Sequence, residues 1–472
     1  MRASFHRPRS TTASSPGGIG TARGSRWHVP WSLAALLVLP LPALATSTTF
    51  TFNVPLGFPT PKVPSDNPMS VEKVELGRLL FYDVRLSGNL MQSCASCHQQ
   101  ELGFTDGLER SVGSTGEVHP RNAMSLTNVA YAPTLTWASP ILRDLENQAM
   151  VPMFGTEPVE LGLEGREDEL FARLQADGRY RRMFAEAYPE DDERITLANI
   201  VRAIGSFQRT LLSGNAPYDR FILGLDDDAL SESAIRGGNL YFGERFECFH
   251  CHGGFNLSSS VTFEGQVFEE ILFENNGLYN IDGMGGYPVP NRGLFDHTHV
   301  IEDMGRFKPP TLRNIEVTAP YMHDGTITTL EAAIDHYAAA GRTIPEGEPN
   351  AGDGSQNPFK NKLFIRGFTM TPQEKLDIIE FLKGLTDREF LANPRFSNPF
   401  DIACPGDCDY SSDITVDEIV ISVNVAVGAA SLAACVSLDE NSDGEVDVAE
   451  IIGMVTRALG GCSGEVAALP AH

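Results

Sequence analysis

Apolar positions along the chain fall into helical spacings, divided by long stretches with no period. An apolar run from Trp31 to Leu44 comes first. Residues 46–69 are rich in Pro and Thr and predict an extended lead-in. Val71, Val74, Leu79 and Leu80 then keep a helical period. Residues 110–160 hold many Gly, Pro and Asn and predict loops. Helix returns over 166–212, with Ile200, Ile204, Phe207 and Leu211 on one face. The plan then repeats. Residues 231–242 read as helix, and a Gly- and Asn-rich region runs to about Asp324. Thr328 with Glu331 predicts a capping box, and Leu330, Ile334 and Tyr337 share a face of the helix it starts. Thr371-Pro372-Gln373-Glu374 predicts a second capping box, closed at Gly384. Three Phe and two Pro over 387–403 read as a docking linker.

The apolar run at the start predicts an export signal over 1–45. Arg23 and Arg26 precede it, and Ala43-Leu44-Ala45 offers a small-x-small cleavage site. The run is short for a bilayer span, and no later segment is longer. The expected location is therefore periplasmic or extracellular, with no stable membrane span. Net charge is −26, and about −31 without the first 45 residues, which hold five Arg and no acid. So acidic a chain repels nucleic acid and anionic lipid.

Cysteine placement changes the picture most. Four of the eight cysteines fall in two Cys-x-x-Cys-His sequences, Cys94–His98 and Cys248–His252. Such a sequence attaches a c-type haem through two thioethers, and its His reaches the iron. Zinc would need further ligand pairs close by, and none stands beside either motif. The fold class expected is mainly α, with two cytochrome c-like haem domains over 46–215 and 216–392. A linker over 393–403 leads to a small C-terminal module over 404–462. Cys404, Cys408, Cys435 and Cys462 lie in that module and predict two disulfides, with three pairings open.

From about 70 to 400 the chain resembles the bacterial di-haem cytochrome c peroxidase and MauG family. The stretches that carry the likeness include LGRLLFYDVRLSG, CASCHQQELGFTDG, ENQAMVP, PVELG, FECFHCHGG and FKPPTLRNIEVTAPYMHDG. GLYNIDGMGGYPVPNRGLF and NPRFSNPF resemble the MauG-like branch that includes MbnH. The resemblance implies a peroxide-reacting N-terminal haem and an electron-storing C-terminal haem. It implies proximal ligands at His98 and His252, and a distal pair, Gln148 and Glu160. The position of the peroxidases' additional haem ligand falls on Ser114, a poor ligand, which leaves the first haem open. His119 is near in sequence but at a different offset. Tyr337 stands where the peroxidases place a Met ligand to the second iron. Trp137, the only Trp after the leader, is implied as an inter-haem relay. Asn122, Thr318 and Pro320 match the protein ligands of an inter-domain Ca²⁺, and His323 a propionate contact.

The tail repeats at an interval of 32. Asp439, Asn441, Asp443, Asp447 and Glu450 stand at EF-hand ligand positions, with Gly444 at the turn. Asp407, Asp409, Ser411 and Glu418 form a weaker copy in which Ser412 replaces the Gly. Glu445 and Asp413 complete the two sets, and the pair resembles a dockerin module. Three functions compete. The first is a MauG-like oxidase that uses H₂O₂ to oxidise a residue of a partner protein, a Trp on the MbnH likeness. The second is a peroxidase removing H₂O₂ with a small redox-protein donor. The third is a non-enzymatic electron carrier with both irons closed.

Overall fold

The computed structural model describes residues 50–401 and 404–462. The expected export signal lies outside them. Helix α1 (Val71–Tyr82) opens the first unit, followed by α2 (Leu145–Phe154), α3 (Glu167–Ala176), α4 (Gly178–Ala187) and α5 (Leu197–Gln208). Then α6 (Pro217–Ile222) leads into α7 (Glu232–Tyr241), α8 (Phe295–Thr298), α9 (Leu330–Ala338), α10 (Pro372–Lys383) and α11 (Arg388–Leu391). The tail carries α12 (Val416–Ala426) and α13 (Val448–Gly460). Strands β1 (Thr343–Ile344) and β2 (Gly352–Asp353) form the only sheet among the described residues. No helix among these residues is long and apolar enough to cross a membrane.

Local chemistry explains most helix starts. Ser70, Thr196 and Ser231 each accept a backbone N–H two or three residues into α1, α5 and α7. The Thr371/Glu374 capping box forms, with Pro372 in the first turn of α10. The box expected at Thr328 does not: Thr329 is the N-cap of α9 and accepts from Ala332 N–H at 3.1 Å. The stretch 166–212 is three helices rather than one. Asp177 interrupts it by capping α4, accepting from Arg179 N–H at 2.9 Å.

The two haem units repeat one crossing. In the first, α1 packs on α5 and buries Leu76, Leu79, Leu80 and Phe81 against Ile200, Ile204 and Phe207. In the second, α7 packs on α10 and buries Tyr241 against Ile378, Phe381 and Leu382. Both crossings are tight enough to require glycine. A Cβ on Gly77 would lie 1.9 Å from the Ala203 carbonyl oxygen, and one on Gly237 the same 1.9 Å from that of Asp377. A polar seam joins the units. Asn128 Nδ2 donates to the Asn256 side-chain oxygen at 3.0 Å, and Asn314 Nδ2 to the Ser213 hydroxyl at 3.2 Å. The Asp387 carboxylate accepts from the Ser213 hydroxyl at 3.1 Å and from the Gly214 and Asn215 N–H groups.

The tail does not stand apart from the first unit. Ile414, Val425, Leu432, Val446 and Met454 belong to the same core cluster as α1, α4 and α5. The Ser442 carbonyl accepts from Gly178 and Arg179 N–H at 3.1 and 3.3 Å. Arg182 donates to the Gly444 carbonyl at 3.1 Å, and Ser431 to Glu186 at 2.8 Å. Two disulfides, Cys404–Cys462 and Cys408–Cys435, select one of the three open pairings.

The crossing glycines give a direct stability test. Gly77→Ala and Gly237→Ala should each cost about 1–3 kcal/mol, the usual penalty of overpacking. Gly460→Ala, which meets open space, should cost nothing. Thermal unfolding of the three variants checks this. Equal melting temperatures would show that the crossings have room.

Candidate functional site

Two cavities carry the chemistry, one behind each Cys-x-x-Cys-His sequence. Each motif begins as a single tight turn, Cys94–Ser96 and Cys248–His250. The turn brings both thiols and the following His to one wall. All four thiols are free of disulfides. Burial pushes Cys94, Cys248 and Cys251 up to about 12 and Cys97 to about 11. Such thiols are poor thiolate nucleophiles, which speaks against a redox dithiol. His98 Nδ1 donates to the Phe104 carbonyl at 2.8 Å, and His252 Nδ1 to the Pro310 carbonyl at 3.0 Å. A carbonyl only accepts, so Nδ1 carries the hydrogen and Nε2 keeps its lone pair. Burial lowers both imidazoles, His252 to about 4, and keeps them neutral. This is the donor state a haem iron requires.

The first cavity is lined by Cys94, Cys97, His98, Gln148, Glu160 and His119, among others. A hairpin over 111–119 forms one side. Val112 pairs with Val118, and His119 N–H bonds the Ser111 carbonyl at 2.8 Å. The loop after α2 forms the next. Leu161 N–H donates to the Pro152 carbonyl at 2.8 Å, and Ser114 N–H to the Glu160 carbonyl at 2.6 Å. These bonds hold Glu160 beside His119, with His119 Nε2 3.7 Å from Glu160 Oε1. Burial raises the Glu160 carboxyl above its ordinary value, and His119 partly offsets this. Gln148 reaches the cavity from α2. The Gln208 side-chain oxygen, also at this cavity, is buried with no hydrogen-bond partner. Ser114 acts through its backbone; its hydroxyl lies 2.8 Å from where a Cβ on Gly162 would stand.

The second cavity is lined by Cys248, Cys251, His252, Tyr337, Trp137 and His323, with Asn122, Thr318 and Pro320 on the same wall. Tyr337 comes from α9, between the buried Ile334 and the end of the helix. Burial pushes its phenol up to about 12, and a hydrogen bond with the Asn276 side chain opposes this. His323 stacks on Phe307 at 3.6 Å between ring centres. Its Nε2 is buried with no hydrogen-bond partner. An imidazole nitrogen orphaned in a cavity that holds two free thiols fits a haem propionate. The Trp137 indole N–H donates to the Asn122 carbonyl at 2.8 Å. Asn122 Nδ2 donates to Leu108, which leaves its side-chain oxygen as the acceptor expected of a cation ligand.

The structure thus brings together the residues expected at each haem, and adds two. Lys308 is buried at the second cavity, with Nζ bonded to the Thr134 carbonyl at 2.6 Å and its ammonium lowered to about 8 by burial. Its only sequence mark is a Lys inside FKPPTLRN. His119 belongs to the Glu160 side of its cavity, a partnership across loops that spacing from Cys94 does not reveal. His250 lies 2.8 Å from Glu247 and stacks on Phe364.

The tail loops form two similar oxygen nests. In the first, Asp407, Asp409 and Glu418 bring carboxylate oxygens within 4.8 Å of one another. Ser411 N–H donates to both Asp407 and Asp409, and the Ser411 hydroxyl to the Asp413 carbonyl. In the second, Asp443 N–H donates to Asp439 and Asn441, and Glu445 N–H to Asp443. Asp447 caps α13, and Glu450 folds back to the Glu440 and Asp447 amides. Gly444 has φ +90°, and Ser412 holds the same turn at φ +70°. Burial raises Asp439 to about 6.

Residues 71–227 match the family model described as di-haem cytochrome c peroxidase. The chain is 34% identical over 334 residues to methylamine utilization protein MauG of Methylorubrum extorquens, covering 71% of this chain and 83% of that protein. It is 32% identical over 276 residues to cytochrome c peroxidase Ccp of Escherichia coli, covering 58% and 55%. A crystal structure described as a MauG-like protein associated with microbial copper homeostasis superposes with a TM-score of 0.72 at 49% identity. It covers 74% of this chain and 99% of that one. The chain belongs to the di-haem cytochrome c peroxidase and MauG family, and is a haem-dependent oxidoreductase carrying two c-type haems.

Proposed function

We propose that this enzyme is a MauG-like oxidase that consumes H₂O₂ at the His98 cavity and oxidises a residue of a partner protein, a Trp in particular. The observation that carries this reading is Tyr337 at the His252 cavity. An oxygen ligand there favours the oxidised states of iron, which suits storage of oxidising equivalents. A Met ligand would raise the potential and suit a peroxidase fed by a reduced donor. The likeness to a MauG-like protein at 49% identity supports the same branch. Each haem, when bound, supplies an iron that exchanges electrons with peroxide or with the other redox groups. The chain supplies the rest. Glu160 takes a proton from one peroxide oxygen and hands it to the other as the O–O bond breaks. Gln148 orients the peroxide by hydrogen bonding. Trp137, at the second cavity, gives an indole through which charge passes between the haem sites. His323 and Lys308 line the second cavity and would hold the acid groups of its haem.

We further infer that the chain is exported and that its tail binds Ca²⁺. The two disulfides suit an oxidising compartment. The oxygen-only ligand sets suit a hard cation, both in the tail loops and at Asn122, Thr318 and Pro320. The domain reading follows the motifs: a peroxide-reacting unit over 46–215, an electron-storing unit over 216–392, and a calcium module over 404–462.

Three measurements test these readings. Incubating enzyme and H₂O₂ with candidate partner proteins, then analysing them by mass spectrometry, should show an oxidised Trp on one partner. Fast turnover with a reduced cytochrome and no modified partner would instead establish the peroxidase. Tyr337→Met should raise the second haem's reduction potential and change its ligand spectrum, read by spectroelectrochemistry. An unchanged spectrum would show that Tyr337 does not bind iron. Added Ca²⁺ should raise the melting temperature of the wild type. At a hundredfold excess over Kd one site contributes about 2.7 kcal/mol. Asp439→Ala with Asp407→Ala should reduce the increment to the share of the Asn122, Thr318 and Pro320 site; an undiminished increment would exclude the tail as a Ca²⁺ site.

A further inference from the structure

His119 is held in a way that a merely packed histidine does not need. Its Nδ1 lies 3.0 Å from the Arg121 carbonyl and 3.1 Å from the Arg121 N–H. The same backbone therefore offers Nδ1 an acceptor and a donor. A neutral ring with its proton on Nε2 accepts from the N–H. A protonated ring donates to the carbonyl. In both states the ring keeps its orientation, with Nε2 3.7 Å from Glu160 Oε1. That separation is an ion-pair contact, and catalytic contacts shorten to hydrogen bonds when a site is loaded. Both side chains line the first cavity and both are half-buried, so the pair bridges solvent and the reacting volume.

We propose that His119 is a positioning residue for the peroxide step: it holds the Glu160 carboxylate over the first cavity and exchanges a proton with it. The inference rests on the reading of Glu160 as the proton-transfer group. Reduction of H₂O₂ to two waters consumes two electrons and two protons. The electrons come from the partner protein through the second haem site. Glu160 moves one proton within the peroxide as the O–O bond breaks. The two further protons come from solvent, and His119 is the group placed to pass them to Glu160. When the protonated ring gives up its Nε2 proton, Nδ1–H still donates to the Arg121 carbonyl, so Nε2 rebinds a proton from solvent without the ring turning.

Other charges around the pair are few. Glu117 lines the cavity, and its carboxylate accepts from Val159 N–H at 3.1 Å and from Thr115. Asp106 is bonded to Ser111 at 2.6 Å. Arg121 turns its guanidinium to Asn291 at 3.0 Å and to Asp296 at 3.8 Å. Gln148 on α2 and Gln208 on α5 are uncharged, and His98 donates its Nδ1–H to a carbonyl. Among these groups His119 is thus the one beside Glu160 that can carry positive charge. Removing it removes an interaction that favours the ionised carboxylate.

The test compares wild type, His119→Phe, His119→Gln and Glu160→Gln as di-haem holoenzymes. Two quantities are followed across pH: the second-order rate with H₂O₂, and the cyanide dissociation constant of the ferric enzyme. Cyanide enters as HCN and must lose a proton to bind, so it reads the same base without turnover. The wild type should lose rate and affinity as pH falls through the Glu160 pKa. Glu160→Gln should abolish this acid limb and slow the peroxide step about 10²–10⁴-fold. His119→Phe should move the limb to higher pH, by about one unit for the loss of one close charge. Its rate above the limb should drop about tenfold as the carboxylate loses its anchor. His119→Gln should show the same shifted limb but recover the high-pH rate, since its amide still donates. An unshifted limb in both His119 variants, with Glu160→Gln still abolishing it, would overturn the pairing alone. A limb that survives Glu160→Gln would overturn the reading of Glu160 itself. A low-spin ferric signal lost on His119→Phe would make His119 an iron ligand and also overturn the proposal.

Discussion

Everything in this molecule depends on where two imidazole nitrogens point. His98 and His252 each give the Nδ1 hydrogen to one backbone carbonyl, that of Phe104 and that of Pro310. That single bond sets the tautomer, the ring plane and the direction of Nε2. The thiols of the same motif would hold the edge of a haem by two thioethers while the His reaches its iron. Three attachments would leave the cofactor no freedom to slide. The helices then have a simple task. They need only close around a wall whose chemistry is already aimed, and the Gly77 and Gly237 crossings let them do so at backbone contact.

From this shared plan the two sites diverge through what faces the imidazole. In the first cavity the chain places polar side chains, Gln148 from α2 and Glu160 and His119 from loops. In the second it places Tyr337 on a helix and lines most of the rest with apolar and aromatic side chains. A proton-handling site must exchange with solvent and so tolerates a half-buried carboxylate. A charge store benefits from exclusion of water, which strengthens every interaction within it. One short segment touches both. His119 faces Glu160, and three residues on Asn122 accepts the Trp137 indole N–H and bonds the His323 carbonyl. A shift in that segment is felt at both cavities.

Short-range features were the legible ones. The Cys-x-x-Cys-His motifs, the capping box at Thr371 and the helical stripe of α5 need only neighbours in sequence. The start of α9 was misplaced by one residue because Thr328 and Thr329 are equally good caps, and only packing of Leu330 and Ile334 chooses between them. The resemblance located Glu160 but not its partner. His119 and Glu160 meet because a hairpin and a post-helix loop pair their backbones, through Ser114 N–H and the Glu160 carbonyl. No periodicity encodes such a contact. Lys308 was hidden for a related reason: a buried ammonium is legible only once its surroundings are known.

The tail shows the same limit and adds a physical reason for its place. It holds too few apolar residues to close a core alone, and two disulfides restrain its unfolded state. It completes its core by sharing that of the first unit, where Leu432 and Met454 join α1 and α4. The contact is fitted at the backbone. A Cβ on Gly178 would lie 1.6 Å from the Asp443 carbonyl oxygen, so only glycine lets the second oxygen loop approach. There the Ser442 carbonyl takes up two N–H groups that the first turn of α4 leaves without helical partners. The loop that resembles a cation site is therefore also a cap for a helix of the first haem unit. Whatever orders that loop also orders α4, and through α4 the wall on which α1 rests.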